Sequence, residues 1–315
     1  MNNKPYLMIL FFAALFCSCD SMVNDLDEDK LPKVTSKLVV ECYLSPQSRE
    51  IEVIVTESQP LFGPSYYEAT YIRNARVVIS GEAGQITIPF QDSTNRYVIK
   101  AGPFKIEPGK KYTLEVSDGN RQVKASCTVP ATSVKIKNYV IEALSDSRYP
   151  GDSSVSVKMS WDDIRGEKNY YVLRGYTKVD QKRLDYDPAG GKGTVVTHSN
   201  KNMLNYSYEN FLYTDTNIDG ITFNSPVFNV SLYKGTINYI DKDDKLQIIP
   251  TDPILREVFF EVLNMDENYY KFCKTIRDNE NSDNPFVEPA LVFSNIEGGL
   301  GCFGAYNAGS LLIKQ

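Results

Sequence analysis

Apolar residues in this chain recur mostly at every second position, in short runs separated by turn residues. Lys37–Ser45 (KLVVECYLS) and Glu50–Ser58 (EIEVIVTES) alternate apolar with polar side chains, the period of a strand with one buried face. Asn74–Gly81, Gln85–Asp92 and Arg96–Gly102 repeat the pattern. Pro108-Gly109 marks a turn, Tyr112–Ser117 a strand, and Asp118-Gly119 a hairpin turn into Gln122–Val129. Beyond Pro130 the strand signal returns in VKIKNYVIEAL, SSVSVKMSW and EKNYYVLRGYTKV, and later in FNVSLYKG, KLQIIP and REVFFEVLN. One stretch changes period. In NMDENYYKFCKTIRDN, Tyr269, Phe272, Cys273 and Ile276 fall on one helical face, which predicts a helix over residues 265–278. Asp266, or Asn264 with Glu267, can cap it.

These elements predict a mainly β protein of two β-sandwich domains. Seven short strands with regular turns over residues 37–132 suit an immunoglobulin-like sandwich. Residues 133–315 form the second domain, with the helix. There, a Trp near the end of one strand and a Tyr in the next resemble the fibronectin type III pattern. Trp161 therefore reads as a core anchor rather than a ligand platform. Residues 181–220, rich in Gly, Asn, Asp and Tyr, read as a long loop excursion holding strands that the pattern does not place.

The N-terminus adds an address. Lys4 is followed by an apolar run, Leu7–Phe16, too short to span a bilayer and suited to a signal peptide over residues 1–18. Cys17-Ser18-Cys19 resembles a bacterial lipobox, with Phe16 where leucine is usual, so Cys19 is the expected lipidation site. Residues 19–36 are acidic and polar, the composition of a flexible tether. Acidic residues soon after such a cysteine resemble a surface-export signal, so the expected location is the outer membrane, facing the cell surface. Any membrane attachment is then through the lipid. Removing residues 1–18 takes away Lys4 and moves the formal charge from −6 to −7. No basic cluster remains, which argues against a nucleic-acid partner.

Candidate chemistry is sparse. GLGCFG (Gly299–Gly304) satisfies the dinucleotide pattern G-x-G-x-x-G. Only AYNAGSLLIKQ follows it, a turn at Gly309 and a final strand, with no room for the rest of a βαβ unit. The glycines read instead as a place where backbones pack closely. His198, the single histidine, lies in VVTHSNKN without a nucleophile motif and reads as a loop residue. Asp215, Asn217, Asp219 and Gly220 match the first half of a calcium loop, but Pro226 stands where the bidentate Glu belongs, so a polar turn is the better reading. DKDDK (Asp241–Lys245) reads as a solvated turn, and paired carboxylates such as Asp162-Asp163 are too common in turns to signal a glycosidase. Cys42, Cys127, Cys273 and Cys302 are candidates for disulfides or for buried free thiols. Tyr66 and Tyr67, in a long loop, are candidates for stacking on a glycan or docking a peptide.

The C-terminal block carries a family resemblance. Tyr269-Tyr270 and Phe272, Asn284-Pro285-Phe286, Glu288-Pro289, Ser294-Asn295-Ile296, and Gly299-Leu300-Gly301 before Phe303-Gly304 resemble the signature of the domain of unknown function 4249 (DUF4249) family. Ala75-Arg76-Val77, Pro108-Gly109 with Tyr112, and NYYVLR fit as well. Cys302 stands where the family more often has an aliphatic residue. The resemblance implies a Bacteroidota lipoprotein, of a kind commonly encoded beside TonB-dependent outer-membrane transporters, with no assigned catalytic residues or cofactor. The expectation is a non-catalytic accessory or binding partner of such a transporter in nutrient uptake. The alternatives are a surface adhesin or pilus-type module, and a hydrolase with an unfamiliar site.

Overall fold

Leu38, Val40, Cys42 and Leu44 point inward from strand β1 (Leu38–Leu44), while the residues between them are half-buried. The same alternation runs through β2 (Glu50–Glu57), β7 (Lys111–Ser117) and β8 (Gln122–Thr128), as one-sided burial requires. The computed structural model describes residues 35–59, 68–102, 104–145, 153–186, 193–204, 212–241, 243–280 and 291–315. β3 (Arg76–Gly81), β4 (Gly84–Ile88), β5 (Phe90–Gln91) and β6 (Arg96–Lys100) complete the first half. One sheet runs β4-β3-β7-β8, and β1, β2, β6 and β5 belong to the sheet facing it. Val53, Ile79, Tyr97, Leu114 and Phe303 fill the core.

Gln85–Asp92, expected as one strand, is two. β4 pairs with β3 and β5 with β6, so the chain changes sheets at Pro89. Proline has no amide to give to a ladder, and here only its carbonyl is used, accepting from the Val98 amide at 3.0 Å.

The second half contains β9 (Ile136–Ser145), β10 (Ser153–Asp162), β11 (Tyr170–Tyr186), β12 (Gly193–Met203), β13 (Leu212–Thr214), β14 (Thr222–Asn224), β15 (Phe228–Ser231), β16 (Thr236–Ile240), β17 (Leu246–Pro250), β18 (Ile254–Met265), helix α1 (Glu267–Glu280) and β19 (Leu300–Lys314). β9, β10, β14 and β15 form one sheet. Trp161 is fully buried, stacked on Phe223 at 5.4 Å and edge-on to Tyr213 and Tyr171. It is a core anchor, as its sequence context indicates.

Two expectations need correcting. Residues 181–186 and 193–203 are regular strand rather than loop. β11 continues to Tyr186 and pairs with β12 from Tyr176↔Met203 to Tyr186↔Gly193, a long ribbon. Much of this ribbon is exposed or half-buried on both faces, so it lacks the alternation that marks a one-sided strand. Nor is there a turn at Gly309, because β19 is one unbroken strand. A Cβ on Gly309 would lie 1.7 Å from the Val134 carbonyl oxygen. The glycine permits a close backbone approach rather than a bend.

β19 also crosses the expected boundary near residue 132. It runs parallel to β1, from Val39↔Leu300 to Leu44↔Ala305, and antiparallel to β18. One nine-stranded sheet therefore continues from the first half into the second. Phe303 and Ala305 belong to the first core and Ile313 to the second. Gly301 has φ +103°, and a Cβ there would meet the Val40 carbonyl oxygen at 2.2 Å, so the close packing read from GLGCFG is present. Helix α1 begins where the Asp266 carboxylate accepts from the Tyr269 amide at 2.9 Å, and it lies against β19 with Tyr269 stacked on Tyr43 at 4.2 Å. Among the described residues no helix is long and apolar enough to cross a membrane.

Four asparagines tie this seam. Their amide groups donate to carbonyls of β8 and of the connection that follows it: Asn268 to Ser126 (3.2 Å), Asn295 also to Ser126 (3.3 Å), Asn307 to Pro130 (2.9 Å) and Asn264 to Thr132 (3.0 Å).

Candidate metal centre

β10 ends at two aspartates whose side chains part. Asp162 is exposed and pairs with Lys137 at 3.0 Å. Its hydrogen bond from Thr222, followed by the contact with Lys137, holds its carboxyl below the usual range. Asp163 turns inward and is only 7% exposed. Its Oδ1 accepts from the Tyr171 hydroxyl and its Oδ2 from the Gly220 amide, both at 2.7 Å. Burial first, and the bond to Asp163 second, hold the Tyr171 hydroxyl well above the ordinary tyrosine range.

The second part of the site follows β13. Asp215 opens a tight turn in which the Ile218 amide donates to the Asp215 carbonyl at 2.7 Å. Asn217 (φ 69°) and Gly220 (φ 74°) adopt the left-handed conformation that curls the loop back toward β10. The Gly166 amide donates to Asp219 Oδ1 at 3.0 Å. Asp163, Asp215 and Asp219 thereby each place a carboxylate oxygen within 4.8 Å of the others. They lie beside a cleft of about 400 Å³ lined by Gly166, Glu167, Lys168, Asp215, Asn217 and Asp219.

Asp215 is the unusual member. It is 6% exposed, yet its carboxylate accepts no hydrogen bond from any described residue. Lys168, on the rim, sits over the Tyr170 ring at 5.3 Å and forms no ion pair with the cluster among the described residues. Buried carboxylates are ordinarily paired or hydrogen-bonded, because removing a charge from water is costly. Three converging carboxylates with no imidazole or thiolate among them form a hard, all-oxygen donor set.

Of the residues singled out in sequence, Asp215, Asn217 and Asp219 do converge, whereas Pro226 takes no part in the cluster. Asp163 replaces the missing acidic position from a distant strand, and its only local signal was a pair of aspartates at a strand end. In DKDDK, residues 243–245 are exposed as expected of a solvated turn, with Asp241 Oδ1 accepting the Asp243 and Lys245 amides at 2.8 and 3.0 Å.

His198 lies on strand β12 rather than in a loop. Its Nε2 is 3.4 Å from Asp185, and the neighbouring Ser199 hydroxyl donates instead to Asp180, so these groups do not form a Ser–His relay. Cys42, Cys127, Cys273 and Cys302 are all buried and free, with no disulfide among them. They pack as small apolar groups in the two sheets and under α1. Burial pushes each thiol up, that of Cys273 to about 12, so they resist ionisation. Cys19, Tyr66, Tyr67, and Asn284 to Pro289 of the C-terminal signature lie outside the described residues.

No curated protein matches the chain. Among solved structures it is similar to one titled "Biofilm associated protein - B domain", at 8% identity over 88% of this chain and 85% of that one. The TM-score is 0.15, at which the likeness bears on neither fold nor function. The family model described as "Domain of unknown function (DUF4249)" matches residues 23–311, and the chain belongs to that family.

Proposed function

We propose that the protein is a non-catalytic lipoprotein of the outer membrane, anchored through Cys19 and facing the cell surface. Its role is that of an accessory binding partner of a TonB-dependent transporter in nutrient uptake. The observation that carries the reading is the ribbon β16–β17. Its strands pair Ile240↔Leu246 and Asn238↔Ile248. One face therefore presents Ile240, Leu246 and Ile248, which are 60%, 67% and 63% exposed. Clustered aliphatic side chains left in water mark a contact surface. The lipobox-like N-terminus and the setting implied by the DUF4249 resemblance supply the membrane and the class of partner.

The test is affinity purification of the tagged protein from gently solubilised outer membrane, with mass spectrometry of co-purifying chains. A stoichiometric TonB-dependent transporter is expected, and an Ile240→Ser/Ile248→Ser variant should lose it while still folding. Recovery of the protein alone, or as self-polymers, overturns the reading and brings the adhesin or pilus-type module forward. A Cys19→Ala variant should leave the membrane fraction, and unchanged sedimentation would remove the lipid anchor from the proposal.

A further inference from the structure

We propose that Asp163, Asp215 and Asp219 bind one calcium ion, which ties the loop after β13 to the end of β10. Three observations converge. The carboxylate oxygens lie within 4.8 Å of one another, close enough for a single cation to bridge. Asp215 is 6% exposed, and both of its carboxylate oxygens are left without a donor among the described residues. The loop carries Asp215, Asn217 and Asp219 at alternate positions with Gly220 at the bend, the spacing by which a calcium loop aims successive side chains at one point.

Such a loop normally closes on a bidentate glutamate, and this one has Pro226 in that place. Here the tertiary structure supplies the closing carboxylate. Asp163 arrives from β10, held by the Tyr171 hydroxyl and the Gly220 amide at 2.7 Å each. Each of its oxygens keeps a lone pair for a cation. The donor set favours calcium over magnesium. Calcium accepts six to eight oxygens in irregular array, whereas magnesium demands a near-octahedral shell and retains its waters. Asn217 and the exposed Asp219 line the same cleft, which leaves room for water to complete the larger shell. The ion would join two sheets, because β10 belongs to the β9, β10, β14, β15 sheet and β13 pairs with β11 of the nine-stranded sheet. This inference is independent of the transporter reading.

The purified mature protein is stripped with chelator and titrated with terbium, excited through its aromatic residues. Tyr171 is bonded to Asp163, and its ring is 6.1 Å from that of Trp161, so terbium in the site should give sensitised emission. Calcium should displace it with a dissociation constant of about 10⁻⁴ to 10⁻³ M, the range of extracellular calcium modules, and should raise the melting temperature. Asp219→Ala removes an exposed ligand and should weaken calcium at least about tenfold, roughly 1.4 kcal/mol. Asp215→Asn should abolish sensitised emission; if that variant does not fold, Asp219→Ala carries the test. Absence of emission and of any calcium-dependent melting shift in the wild type overturns the proposal. So does wild-type calcium affinity in Asp219→Ala, which would place the ion elsewhere. Displacement by magnesium as effective as by calcium overturns the choice of metal.

Discussion

Two buried polar clusters in this protein follow opposite rules. At the seam around β19, neutral amides carry most of the polarity, and the NH2 groups of Asn264, Asn268, Asn295 and Asn307 each find a backbone carbonyl, while Asn264 Oδ1 has no partner among the described residues. Asn295 also accepts from the Phe303 amide at 3.0 Å and Asn307 from Gln47 at 2.9 Å. At the end of β10 the buried groups are carboxylates, and Asp215 is left without a donor among the described residues. A matched amide network repays its desolvation within the fold. Asp215 has no such donor among the described residues, and at the wall of its cleft it converges with two like charges that a cation would neutralise. The first cluster holds the chain together; the second is organised for something outside it.

The most severe way to break the seam is to part its backbones. Gly309→Val should cost more than about 4 kcal/mol, because its Cβ would overlap the Val134 carbonyl and β19 would have to leave its place. Urea unfolding measures this, and a midpoint near that of wild type would mean the strands are not so closely packed.

The seam's own carboxylate sharpens the contrast. Burial pushes Asp266 up to about 7, against backbone hydrogen bonds that act to lower it. Below about pH 4 the group is protonated in both folded and unfolded chains. Above that the unfolded chain ionises first, so the folded state loses about 1.4 kcal/mol per pH unit until pH 7 is passed. Asp266→Asn keeps the capping acceptor and removes the charge. Its stability advantage over wild type should therefore grow from about pH 4 to 7 and then level off. A constant difference across that range would show that Asp266 titrates normally.

Asn307→Leu is smaller in effect. It removes a buried amide that bonds the Pro130 carbonyl and accepts from Gln47, and should cost about 1 kcal/mol in chemical denaturation. The matching change in the other cluster should have the opposite sign. Asp215→Asn should stabilise the calcium-free protein by up to about 1 kcal/mol, since it removes one of three like charges that converge there. If both substitutions destabilise equally, the two clusters obey one rule and the comparison fails.

Much of this was legible in the residues themselves. Alternation placed β1, β2, β7 and β8 within a residue or so of their ends, and the period of Tyr269, Phe272, Cys273 and Ile276 marked α1. The buried Trp161 and the close packing at Gly301 also followed from local type and spacing. These are properties that a short stretch carries by itself, through which of its faces is apolar and which backbone angles it tolerates.

Other features depended on partners that a local pattern does not name. The strands of the β11–β12 ribbon had no place in the sequence pattern because much of the ribbon is uncovered on both faces, and burial is what writes alternation into a strand. Gln85–Asp92 read as one strand because nothing local shows that the chain changes sheets at Pro89. Gly309 read as a turn because the backbone of Val134, which requires it, comes from the other side of a long connection. DTNIDG contained two of the three carboxylates of the cluster. The third, Asp163, was brought to it by the pairing of β10 with β14 and the return of β11 beneath Trp161. Periodicity is set residue by residue along the chain, whereas convergence of charges is set by which strands become neighbours, and that follows from packing of the whole.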